Sequence, residues 1–218
     1  MESRVFLLSP ANCNGRRAQQ ILSPRATFML ASELQSSRGA ALGEVFAFVS
    51  GLYFRGKLAY ARRFAAPPEI DHPVVGSGVH VITPNAGLRS PDTLIGADGL
   101  RAFASADVHV ANASYRRPLE DSARSLAREI GSNVDVVLLG SIASPKYVDV
   151  LLDIFGRSLV FPLEFVGRGD MSRGGLLLRM AAAGQELEYG AVAGATLHGP
   201  RPPRLEPLRH GPSPHPAR

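Results

Sequence analysis

The 218-residue chain has one cysteine, two lysines, no apolar run of membrane-spanning length and no internal repeat. A single thiol, Cys13, excludes an internal disulfide framework and fits a reducing compartment. A membrane helix needs roughly 18 apolar residues, which no stretch supplies, and the N-terminus lacks the basic-then-apolar pattern of a secretory signal. The expectation is a soluble, cytoplasmic protein with no membrane partner. His198, His210 and His215 lack the spacing of a metal site, and no strand runs into a Gly-x-Gly-x-x-Gly fingerprint, so no metal or other cofactor is expected. Of the 24 lysines and arginines only Lys57 and Lys146 are lysines; the net charge is +5 and the pI about 9.9. Arginine forks onto phosphate, which suggests a polyanionic partner; a gene biased toward arginine codons gives the same composition.

What is present reads as one α/β domain over residues 1–198 with a Pro/Arg-rich disordered tail at 199–218. Val5 to Leu8 and Val134 to Leu139 are short apolar runs, as in strands buried on both faces, and Val79 to Ile82 and Leu159 to Phe161 are shorter versions. Asp107 to Ala111 alternates like another strand. Pro118 to Ile130 is amphipathic at helical spacing, and Tyr147 to Phe155 repeats the pattern, with Ser144 and Pro145 before it and Gly156 after it. From Gly43 to Ala65 aromatics and cations interleave. They fit base stacking with phosphate contacts, or equally the apolar face of a strand or helix with a solvated edge. Gly184 to Leu197 reads as a strand pair or an extension.

Ligands of α/β sheets sit beyond the carboxyl ends of the strands, so the polar segments there are the candidate site. The first is Ser9 to Arg17, with Asn12, Asn14, Arg16 and Arg17. The second is Asn112 to Arg117, with Asn112 and Arg116. The third is Gly167 to Gly175, read as a glycine-rich loop carrying Arg168, Asp170, Ser172 and Arg173. Glycine lets a backbone approach a phosphate. These groups can also be turn closures, helix caps and a surface ion network.

In order, these segments resemble the uracil-DNA glycosylase superfamily. VFLLSPANCNG stands where the family has its Gly-Ile-Asn-Pro-Gly type of motif, with Asn12 at the catalytic amide. DVHVANASYRR supplies Asn112 where the family ends a strand in Leu-Leu-Asn. VVLLGSIASPKY is similar to the Leu-Leu-Trp-Gly strand, and EFVGRGDMSRGG echoes Gly-Phe-Phe-Gly followed by Phe-Ser. GLYFRG resembles the segment whose Phe stacks on the base. The first motif has no water-activating Asp, and Val160-Phe161-Pro162-Leu163 replaces the family's His-Pro-Ser-Pro. Those departures point to a divergent member reading a larger, modified pyrimidine, as in bacterial defence against phage with modified DNA.

The resemblance implies a three-layer α/β/α fold around a mostly parallel four-stranded sheet. It also implies a monomeric DNA glycosylase that flips a base and hydrolyses its N-glycosidic bond. Asn12 would position the water for attack on an oxocarbenium-like sugar, and Arg168 or nearby backbone N–H groups would stabilise the leaving base. Asp170 would orient Arg168 or act on the water. Asn112 would read the pyrimidine edge, Tyr53 or Phe54 would stack on it, and Ser9, Asn14 and Ser172 would complete the substrate contacts. Arg16, Arg17, Arg116 and Arg173 would hold phosphates. The alternatives are an enzyme hydrolysing or transferring at the N-glycosidic bond of free nucleotides, and a noncatalytic nucleic-acid-binding module.

Overall fold

The structure, a computed structural model, describes residues 3–197, 199, 200, 202, 203 and 205. The expected tail at 199–218 lies mostly outside the described residues, and His198, His210 and His215 lie wholly outside them. The chain is a mixed α/β protein. Strand β1 (Ser3–Leu8) leads through helices α1 (Arg16–Leu22) and α2 (Met29–Gln35), strand β2 (Ala40–Ala41), and helices α3 (Leu42–Ser50) and α4 (Leu52–Phe64) to strand β3 (Val79–Thr83). Strands β4 (Gly87–Arg89) and β5 (Leu94–Ile95) and helices α5 (Ala97–Ser105) and α6 (Ala113–Ile130) follow. Strand β6 (Val134–Leu139), helix α7 (Val148–Phe155), strand β7 (Leu159–Pro162), helix α8 (Asp170–Ala183) and strand β8 (Tyr189–Ala191) complete it.

The central sheet has the order β4-β3-β1-β6-β7-β8. The inner strands β3, β1, β6 and β7 are parallel, and β4 and β8 lie antiparallel on the edges. It therefore has six strands where four were expected. The two extra strands are three residues each, too short to show an alternating pattern. β2 and β5 form a separate two-stranded ladder.

β1 and β6 pair in register along their whole length, from Ser3 opposite Val134 to Leu8 opposite Leu139. Val5 to Leu8 and Val136 to Leu139 are fully enclosed, because a parallel strand between parallel neighbours is covered on both faces. The apolar face of α6 (Tyr115, Leu119, Ala123, Leu126, Ile130) is buried. Helix α6 packs against β4 and α7, whereas α4 packs against β1 and α8. Among the described residues no helix is long and apolar enough to cross a membrane.

Two expectations change, and one left open between strand and helix is decided. Asp107 to Ala111 is not a strand: it is a turn in which His109 N–H donates to Asp107 and Asn112 N–H to His109. The aromatic and basic stretch after Gly43 is helical, α3 and α4 being joined at Gly51, whose φ of 69° suits glycine. The glycine-rich segment is not a loop throughout, since α8 begins at Asp170 and includes Gly174 and Gly175.

Candidate active site

The connection from β1 leads to β3 on one side and the connection from β6 leads to β7 on the other. The loops after β1 and β6 therefore diverge, and such a switch point leaves a crevice beyond the strand ends. Here it has a volume of about 450 Å³. Residues Pro10 to Asn14 form one wall, Lys146 stands on another, and Pro84, Phe103 and Ala106 to Val108 close the rest. Asn12 is exposed on this wall. Its Oδ1 accepts the Asn14 N–H at 3.0 Å, a local turn that fixes the amide. Cys13 is buried, with its thiol turned to the Ala11 carbonyl at 3.6 Å. Burial pushes that thiol's pKa up to about 12, so it is not a reactive thiolate near neutrality.

Behind the first loop lies a buried polar cluster. Lys57, on α4, is 1% exposed. Its Nζ donates to the Ser9 carbonyl at 2.7 Å and to Ser9 Oγ at 2.9 Å. The rings of Tyr53 and Phe54 flank the same Nζ, at 4.7 and 4.8 Å. Burial pulls the Lys57 pKa down to about 7, against the opposing pull of the Asp170 charge. Ser9 follows directly on β1 and is nearly enclosed, its N–H bonded to Leu139 of β6. At the end of β6, Tyr147 Oη accepts the Ser141 N–H at 3.0 Å and can donate to the Ser141 carbonyl at 3.1 Å. Gly140 sits between Ser9 and Tyr147. A Cβ there would lie 2.8 Å from both Ser9 Cβ and Tyr147 Oη, so the close approach of the two strand ends requires glycine.

Helix α8 seats against this cluster through its first turn. Asp170 opens the helix with its side chain 71% exposed, 3.8 Å from Arg173 Nη1. Arg173 directs Nε and Nη2 onto the Phe165 carbonyl at 3.2 and 3.0 Å, with its guanidinium over the Phe165 ring. It ties the β7–α8 connection together rather than presenting a free fork for phosphate. Arg168 donates to Ser172 Oγ at 3.2 Å. Both residues line a separate hollow of about 320 Å³ with Met171 and Arg179. The structure thus brings Ser9, Tyr53 and Phe54 around Lys57, with Asp170 acting on it only through its charge, and Asn12 and Asn14 together in the crevice. It leaves Arg168 and Ser172 in another hollow.

Asn112 caps α6. Its Oδ1 accepts the Ser114 N–H at 3.0 Å and its Nδ2 donates to the Asp107 carbonyl at 2.8 Å, so in this structure the amide expected at a base edge closes the start of a helix. Tyr53 and Phe54, expected to stack on a base, are buried within α4 with their rings against Lys57 Nζ. Arg16 and Arg17 are exposed at the start of α1, Arg17 also reaching the Phe48 carbonyl at 3.3 Å. Arg116 is exposed but paired with Glu120 at 2.7 Å, one helical turn on. Reading by motif passed over Lys57, Tyr147 and Lys146. The available signal was scarcity: in a chain that uses arginine almost everywhere, Lys57 lies beneath this edge and Lys146 lines its crevice. No family model, curated protein or solved structure matches the chain.

Proposed function

We infer that the protein hydrolyses the N-glycosidic bond of a nucleotide held in the crevice between the β1 and β6 loops, with a modified pyrimidine in DNA as the substrate. The observation that carries this reading is Asn12 on the crevice wall, its amide fixed by the Asn14 turn. One lone pair of Oδ1 closes that turn and the other is left to orient a water toward C1′ of the sugar. Such a water needs positioning more than deprotonation, because the sugar departs as an oxocarbenium-like cation. Lys146, which also lines the crevice, supplies the donor for negative charge on the departing base, a role the sequence had suggested for Arg168. The parallel order β3-β1-β6-β7, with α4–α8 and α6–α7 as two helix pairs, supports the three-layer glycosylase-like arrangement. Exposed Arg16 and Arg17 beside the first loop supply phosphate contacts.

Burial of Tyr53 and Phe54 favours a second reading, a hydrolase of free nucleotides, because it removes the stacking platform a flipped base would use. The deciding assay incubates the protein with DNAs containing uracil, hydroxymethylcytosine or glucosylated hydroxymethylcytosine, and in parallel with nucleotide mixtures. Released base and abasic sites from one DNA support the glycosylase and a role against phage with modified genomes. Base release from nucleotides alone, with weak salt dependence of binding, moves the substrate to the free nucleotide. No release from either removes the N-glycosidic reading.

A further inference from the structure

Ser9 and Lys57 form a hydroxyl–amine pair whose geometry the N-glycosidic reading leaves unused. The bland role for Lys57 is to pin the end of β1. A pin would not need an ionisable amine: burying one is costly, and it is normally matched with a carboxylate. Here the two hydrogen-bond acceptors of Nζ are both atoms of Ser9, a carbonyl and a hydroxyl, and neither carries charge. Asp170 acts on the amine only through its longer-range charge. An amine so placed is driven toward its neutral form, which keeps a lone pair for Oγ while an N–H still donates to the Ser9 carbonyl. The 2.9 Å from Nζ to Oγ is the distance a nucleophile and its base require. Arginine, used nearly everywhere else in this chain, cannot do this, since its guanidinium does not give up a proton in proteins.

The surroundings fit the same chemistry. Ser9 stands at the switch point, directly behind the crevice wall that Pro10 begins. Gly140, just past the end of β6, packs against it without a side chain. Ser9 Oγ and Tyr147 Oη lie 3.2 and 2.8 Å from one point, the position a Gly140 Cβ would occupy. The Tyr147 hydroxyl also interacts with the Ser9 side chain by hydrogen bonding, and by turning from the Ser141 carbonyl it becomes a donor for charge developing next to Oγ.

We propose that Ser9 is a nucleophile, Lys57 its proton acceptor and Tyr147 the donor to the oxyanion, so that the site accepts the acyl group of a small activated ester. In the first step the Ser9 O–H bond breaks, its proton passes to Lys57 Nζ, and an Oγ–C bond forms at the ester carbonyl. The C–O bond to the leaving group then breaks, and the leaving oxygen takes the proton from Nζ. In the second step Lys57 takes a proton from water as the hydroxide adds to the acyl carbon. The Oγ–C bond breaks and Ser9 recovers the proton, leaving a carboxylic acid.

The test treats the full-length protein with a fluorophosphonate probe and with p-nitrophenyl acetate, following intact mass, the labelled peptide and nitrophenolate release. One adduct per chain on Ser9 is expected, absent in Ser9→Ala. Lys57→Arg keeps the positive charge but cannot take the proton, and should label at least about a hundredfold more slowly. Labelling of the native protein should rise with pH through an inflection near 7. No adduct on the native chain, an adduct that persists in Ser9→Ala, or an unchanged rate in a folded Lys57→Arg would each overturn the proposal. If Lys57→Arg does not fold, native labelling and Ser9→Ala still decide. Base release is a separate readout, so this proposal and the N-glycosidic reading fail independently.

Discussion

Gly56 on α4 and Gly174 on α8 are in direct backbone contact. A Cβ on Gly56 would stand 2.5 Å from the Gly174 carbonyl oxygen, and a Cβ on Gly174 would stand 2.7 Å from Tyr53 Cα. This close crossing seats α8 against the helix that carries Lys57, one residue beyond Gly56. Gly174→Ala should therefore destabilise the protein by about 1–3 kcal/mol, since backbone at that distance has to move. Equilibrium urea unfolding measures it. A midpoint equal to the native one would show that the crossing has slack.

That contact also explains what the sequence concealed. Glycines among arginines at 167–175 read as a phosphate-approaching loop, and only the partner helix shows that part of the segment is a smooth helix surface. Gly167 has the positive φ of 73° that a loop would use, while Gly174 lies inside α8. Strands β1 and β6 were legible because burial on both faces leaves an uninterrupted apolar run. The turn at 107–111 imitated a strand because alternation reports faces and not the presence of a neighbour to pair with. At the site, the loop carrying Asn12 was legible as a position beyond a strand end, whereas the one carrying Lys146 was not singled out. The Ser9–Lys57 contact, 48 residues apart, was not legible, because no local pattern encodes which buried lysine meets which strand end.

Lys57 makes the stability depend on pH in a definite direction. Its folded pKa of about 7 lies below its ordinary value of 10.5, so between these values the unfolded chain binds a proton that the folded chain does not. Its contribution is complete above pH 10.5, shrinks as the pH falls, and is lost once the pH passes below about 7. Native stability minus that of Lys57→Met should rise from pH 7 to pH 9 by up to about 1.4 kcal/mol per pH unit. Denaturant unfolding at the two pH values measures the difference. A constant difference would mean that the amine stays charged inside the fold.

The two asparagines should separate cleanly. Asn112→Ala removes the α6 cap and should cost about 1 kcal/mol of stability, with base release per folded molecule unchanged. Asn12→Ala, on an exposed turn, should cost about 0.5 kcal/mol or less while abolishing base release and leaving nucleic-acid binding intact. Melting curves, electrophoretic mobility and abasic-site yield on the same preparations supply the comparison. Normal turnover by Asn12→Ala would remove this amide from the mechanism.

His80 sets the acid side. It lies in β3, is 6% exposed, and its Nε2 is buried with no partner. It lines a hollow of about 430 Å³ together with residues 73–77 and with Ser122 and Leu126 of α6. Burial lowers its pKa from 6.5 to about 4, so the folded state holds the neutral ring while the unfolded chain takes up a proton. Stability from this group is complete above pH 6.5 and is lost as the pH falls toward 4. His80→Leu keeps the site apolar and removes the proton uptake. Its urea midpoint should fall less between pH 7 and pH 5 than the native midpoint does. An equal fall in the two proteins would show that water reaches the ring and that the hollow is open in solution.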